Sequence, residues 1–304
     1  MITAQAPSST ANLGPGFDVF GMALDACFDT VSVAEEGSSI TISSDDDIPL
    51  EYTKNTAGIV VDMMRTDFDI KPGVHIKIRK GVPAGYGMGS SAASAAAAAT
   101  AYSNLYNLNL SLTELTRYAG YGEQASAGSI HYDNVAASVC GGFVMVHTKP
   151  LRVINLRPPE NLTMCVAVPD VSTPEKKTQV SRGVIPEMVP LCDVTTNISF
   201  ASSLVAGMCT GDISLIGDSL QDVIVEPARR HMIPALDDIR NLAVSAGAAG
   251  VTISGAGPSV IAFADGSIVD IDSVGEAMRE GFGNHDINCK IFPCKSAKGA
   301  GTVQ

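Results

Sequence analysis

Three glycines alternate in Gly85-Tyr86-Gly87-Met88-Gly89, and Ser90, Ser91 and the alanine-rich run 92–101 follow at once. Glycine admits close backbone approach and alanine is the best helix former, so the stretch predicts a loop feeding a helix N-terminus. A helix start presents unpaired N–H groups and a partial positive charge, and serine hydroxyls there can cap the helix or reach a metal. A phosphate is the expected guest. A small-residue turn packed on a sheet would explain the alanines, but not alternating glycines ahead of paired serines. No lysine follows the glycines and the G-x-G-x-x-G spacing is absent, which excludes the usual P-loop and the dinucleotide fingerprint.

A second concentration of polar groups follows. Glu123 precedes a small-residue segment carrying His131, Asp133 and Asn134, an unusual density of hydrogen-bonding side chains among alanines. A helix end with solvated polar residues is the alternative. Near the start, Pro7 to Asp18 combines two Gly/Pro pairs with Asn12 and Asp18 in what reads as a tight loop, either connector or site wall. Later come Thr178, Arg182 and Pro186, then Glu226-Pro-Ala-Arg229, then Gly255-Ala-Gly257-Pro258. From composition alone Arg182 reads as a surface arginine and Gly255–Gly257 as a bare turn.

The elements that must position these groups are legible in outline. Residues 1–6 read as a strand, 28–34 and 39–43 as a hairpin with Asp45-Asp46-Asp47 at its tip, and 57–68 as an amphipathic helix capped by Asn55. Residues 73–80 alternate as a strand leading into the glycine loop, with Lys80 nearest to it. Ser111 and Glu114 form a capping box. Helices are expected over 194–209, 213–224, 236–246 and 268–282, strands over 164–169, around the 255–257 turn and over 287–293, and a frayed tail.

The chain has 304 residues, 45% of them hydrophobic and 17% charged, which predicts a folded protein with a substantial core. A net charge of −12 argues against nucleic-acid or acidic-membrane partners. Seven scattered cysteines with no metal-type spacing read as reduced thiols, which, with no signal peptide or membrane span visible, leads us to expect a cytoplasmic protein.

Pro83-Ala84-Gly85-Tyr86-Gly87-Met88-Gly89-Ser90-Ser91-Ala92 resembles the phosphate-binding motif of the GHMP kinases, small-molecule kinases of galactose, homoserine, mevalonate and phosphomevalonate. The segments around Asn12, His131, Arg182, Arg229 and Gly255 are similar to other motifs of that family, in the form its homoserine-phosphorylating branch carries. The resemblance implies an α+β fold with a ribosomal-protein-S5-like domain over 1–150 and a ferredoxin-like domain over 151–304. It implies ATP and Mg²⁺, with the nucleotide at residues 83–92, Asn55, Lys80, Gly255 and Gly257, and the metal on Ser91 and Glu123. For the acceptor, expected to be L-homoserine, it implies Asn12, Asp18, His131, Asn134, Thr178, Arg182 and Arg229. Asn134 is expected to position the hydroxyl, with Asp133 the second candidate for catalysis, and the chain to be a homodimer. Shikimate, mevalonate or pantoate as acceptor, or a nonenzymatic nucleotide sensor, are the alternatives.

Overall fold

The computed structural model describes residues 1–127, 130–173, 177–233 and 235–303, without the side chains of 124–127, 177 and 178. Their regular elements are two sheets, ten α-helices and two short 3-10 helices. Strand β1 (Ile2–Asn12) pairs antiparallel with the long β2 (Gly16–Glu35), so most of the stretch expected as a loop is strand. Pro7, which lacks an N–H, sits at a register shift between Pro7 and Ser8, where the ladder is already interrupted. The true turn is residues 13–15.

Strand β3 (Ile40–Ser44) does not form the expected hairpin with β2. It runs parallel to β4 (Val74–Arg79), Ile42 opposite Ile76, while β4 pairs antiparallel with β2. A parallel pair needs a crossover, and helix α1 (Thr56–Asp67) supplies it. Helices α2 (Ser90–Leu105), α3 (Leu112–Ala127) and α4 (Asp133–Cys140) complete the helical layer. Helix α2 is apolar nearly all round and is accordingly buried along most of its length; its alanines let it lie close against β1 and β2. Strands β5 (Phe143–Thr148) and β6 (Leu151–Leu156) extend the sheet from β2.

The chain then passes to a four-stranded antiparallel sheet made of β7 (Leu162–Pro169), β8 (Gly250–Ile253), β9 (Val260–Asp265) and β10 (Cys289–Cys294). Its order, β10-β7-β9-β8, is the ferredoxin-like one. Between β7 and β8 lie α5 (Lys177–Gly183), α6 (Leu191–Thr210), α7 (Ile213–Asp218), α8 (Val225–Arg229) and α9 (Leu236–Ser245); α10 (Ile271–Gly283) precedes β10. Leu236, Ile239 and Ala243 of α9 share a core with Val274, Met278 and Phe282 of α10. The helix expected over 213–224 stops at Asp218, because the Asp222 carboxylate accepts from the N–H groups of Ile224, Val225 and Glu226 and starts α8 instead. The tail is not frayed: Gly301–Val303 is β11, paired with β1 on the first sheet.

Candidate active site

A cleft of about 480 Å³ is lined by the glycine loop, the start of α2, and residues from α3, α4, α5 and α8. Its floor is built from the strand side. Asp29, fully buried in β2, accepts from the N–H of Gly81 (2.9 Å) and Val82 (3.0 Å) through one oxygen, and from Ser94 Oγ (2.6 Å) and Lys80 Nζ through the other. Lys80 also donates to the Ser90 carbonyl and the Ser94 hydroxyl, both at 2.9 Å. All three ammonium protons are thus used, one on Asp29 of β2 and two on the first turns of α2.

The glycine loop has the conformation that its composition requires. Gly85, Gly87 and Gly89 have φ of 85°, 80° and 68°. A Cβ on Gly87 would fall 2.2 Å from the Ser254 carbonyl, and one on Gly89 2.1 Å from Ser9 Oγ. Gly87 O accepts from Ser254 Oγ at 2.8 Å, so the 255–257 turn lies directly beside the loop. Gly89 is the N-cap of α2 and offers no side-chain acceptor, which leaves the first amides of that helix facing the cleft.

The residues anticipated for a nucleotide divide into two groups. Ala84, Gly85, Gly87, Met88, Gly89, Ser90, Ser91, Asn55, Lys80 and Gly255 line the cleft, whereas Pro83, Tyr86, Ala92 and Gly257 stand behind its wall. The Met88 side chain is in the core, so only its backbone is presented. Ser90 donates to Val82 O at 3.0 Å and Tyr86 to Val171 O at 3.1 Å. Asn55 caps α1 through Oδ1 and donates to Pro49 O through Nδ2, which commits both ends of its amide. The Ser91 hydroxyl makes no hydrogen bond among the described residues.

Two acids, Glu123 and Asp133, line the same cleft as Ser91. Burial, then the charge of Asp133, pushes the Glu123 carboxyl up to about 7, with Lys80 opposing. Burial, then the charge of Asp18, pushes Asp133 up to about 6. Two carboxyl groups and a hydroxyl lining one cleft are oxygen donors, the kind of group that a hard divalent cation takes. Asn134 follows Asp133; its N–H donates to Asp133 Oδ1 (2.8 Å), and its Oδ1 accepts from Ser9 Oγ (2.9 Å).

At the other end, Arg182 donates to Asp18 and, at 2.9 Å, to His131 Nδ1. An imidazole nitrogen that accepts carries no proton, so His131 is neutral; burial and then Arg182 lower its pKa. Arg229, 4% exposed, donates to the carbonyls of Ser181 (3.1 Å) and Gly255 (3.3 Å). Asn12 bridges the first strand and the 255–257 turn, donating to Gly255 O at 2.9 Å and accepting from Asp18 N at 3.1 Å. The Thr178 side chain lies outside the described residues.

Four groups here had not been singled out from sequence: Asp29, Ser94, Ser9 and Phe17. Asp29 left a trace, since it falls in phase with Val31 and Val33, both fully buried, on the inward face of β2. Phe17 lies in the motif-bearing segment directly before Asp18, and Ser9 and Ser94 left no trace.

Residues 51–142 match the GHMP kinases N terminal domain and residues 204–284 the GHMP kinases C terminal domain. The chain belongs to the GHMP kinase family. Within it, the chain is 40% identical to a homoserine kinase of Saccharolobus solfataricus over 98% of this chain and 97% of that one, and 38% identical to one of Thermoplasma acidophilum, covering 98% and 96%. The crystal structure of homoserine kinase from Cytophaga hutchinsonii superposes with a TM-score of 0.92 at 35% identity, covering 99% and 97%.

Proposed function

We propose that this chain is a homoserine kinase, transferring the γ-phosphoryl group of ATP to the side-chain hydroxyl of L-homoserine on the way to threonine. The observation that carries the proposal is the pairing of Asp18 with Arg182 at the cleft wall, with Arg229 beside them. A zwitterion brings one anion and one cation. Its carboxylate can take the two guanidinium groups and its ammonium the released Asp18, so one ion pair within the cleft wall is exchanged for two with the acceptor. Shikimate, mevalonate and pantoate have no ammonium group with which to make that exchange.

Phosphoryl transfer asks the protein for positioning and charge stabilisation more than for covalent chemistry. The amides at the start of α2 and in the glycine loop would receive the phosphate chain of a nucleotide, since a helix N-terminus favours negative charge. Ser91 and Glu123 would hold Mg²⁺, which when bound supplies positive charge to the phosphate oxygens. Because Ser9 occupies Asn134 Oδ1, the amide group left for the acceptor is the Nδ2 donor, suited to orienting the hydroxyl oxygen. A loose transition state lets the hydroxyl keep its proton until late, so no strong base is required. Asp133, ionised above about pH 6, is the second candidate for that proton. Lys80 and Asn55 shape the wall through the bonds they already make.

The proposal includes a homodimer, which light scattering checks, and a cytoplasmic setting. Its central test is ADP release with Mg·ATP and L-homoserine, shikimate, mevalonate or pantoate in parallel. Homoserine is expected to be the preferred acceptor by orders of magnitude; preference for any other overturns the assignment.

A further inference from the structure

Two guanidinium groups share one aromatic ring in the cleft. Cζ of Arg182 lies 5.0 Å and Cζ of Arg229 5.4 Å from the ring centroid of Phe17. All three residues line the cleft, and among the described residues Phe17 belongs to none of the apolar cores. Its ring is therefore not explained by packing.

The two cations need something between them and their mutual repulsion. Arg182 has Asp18 as a counter-ion. Arg229 is almost fully buried and, among the described residues, has no carboxylate within ion-pair distance; its hydrogen bonds go to the carbonyls of Ser181 and Gly255. The face of an aromatic ring carries partial negative charge and attracts guanidinium groups, most strongly where water is excluded. A ring with two side-chain torsions also gives up little conformational freedom on being fixed, unlike a flexible aliphatic chain.

We propose that Phe17 is a positioning residue for acceptor recognition: its ring holds both guanidinium groups in place for one carboxylate, and so sets the preference for acceptors that carry a carboxylate beside the amine. The inference rests on the homoserine reading of the cleft. Removing the ring frees the two cations to separate, which weakens the grip on the carboxylate and leaves the nucleotide end untouched.

The test compares the unaltered enzyme, Phe17→Leu and Phe17→Tyr on L-homoserine and on 3-aminopropan-1-ol, which keeps the hydroxyl and amine at the same spacing and lacks the carboxylate. Where the amino alcohol is not turned over, its inhibition constant against homoserine is read instead. Phe17→Leu is expected to lower kcat/KM for homoserine about tenfold, mainly through KM. The KM for ATP and the constant for the amino alcohol should stay within about twofold. Phe17→Tyr, which keeps the ring face, should restore homoserine KM. Equal losses on both acceptors, an unchanged homoserine KM in Phe17→Leu, or no rescue by Phe17→Tyr would overturn the inference. An unaltered enzyme that does not prefer homoserine would instead sink the assignment of function.

Discussion

The Ser9 hydroxyl donates to Oδ1 of Asn134 over 2.9 Å, joining the first strand of the chain to the start of α4 across 125 residues. That bond fixes which end of the Asn134 amide faces the cleft. Ser9→Ala frees the amide to turn, so kcat should fall about tenfold, the equivalent of one lost hydrogen bond, with both KM values nearly unchanged. Steady-state kinetics in both substrates decides it: a change confined to KM would show that Ser9 serves binding and not the orientation of the amide.

Asp29 is the counter-ion of Lys80 and the acceptor for two loop amides and Ser94. Asp29→Asn leaves the ammonium without its partner in a buried setting and should cost about 3 kcal/mol of stability. The companion variant Asp29→Asn with Lys80→Met should recover part of that loss in urea denaturation. Failure to recover any would mean that the carboxylate acts through the amides alone.

Arg229 holds two carbonyls while facing the cleft. Lysine has no planar fork with which to do both, so Arg229→Lys should weaken homoserine binding about 10- to 100-fold and ATP binding little. Calorimetric titration with each ligand measures the contrast; parallel losses would point to damage to the whole cleft.

Glu123 gives the pH dependence. Its carboxyl is raised from an ordinary 4.5 to about 7, so between those values the folded state binds more protons than the unfolded one. Stability of the metal-free protein should therefore decline as pH rises through that window and level off above it. Asp133, raised from 3.8 to about 6, adds a decline at lower pH, and His131, with its lowered pKa, opposes both below 6.5. Glu123→Gln should flatten the upper part of the profile, and Mg²⁺ should bind with proton release near pH 7 that vanishes above about pH 8. Thermal melts and titrations in buffers of different ionisation enthalpy check both; a melting profile unchanged by Glu123→Gln would separate that carboxyl from the titration.

The contrast between what the sequence discloses and what it hides follows contact range. The glycine loop is legible because its left-handed backbone, its cap position and the helix it starts are all properties of neighbouring residues. The capping box at Ser111 and Glu114 is local in the same way, and its paired bonds are present. Asp29 reaches residues 51 to 65 positions away and Ser9 reaches 125, and no periodicity carries such information. The hairpin expected over 28–34 and 39–43 is replaced by the parallel pairing of β3 with β4 for the same reason: alternation predicts that a segment is a strand but not which strand it joins. The motif resemblance supplied what local reading could not, bringing Asn12, Asp18, Arg182 and Arg229 to one cleft from opposite ends of the chain.

The three-residue pairing of Gly301–Val303 with β1 has a consequence for biosynthesis. A nascent chain leaving the ribosome has every other strand of the first sheet long before the one that closes it, and must make the entire second sheet in the interval. Until Gly301–Val303 has been made and docked, the free edge of β1 stays open to any extended peptide nearby.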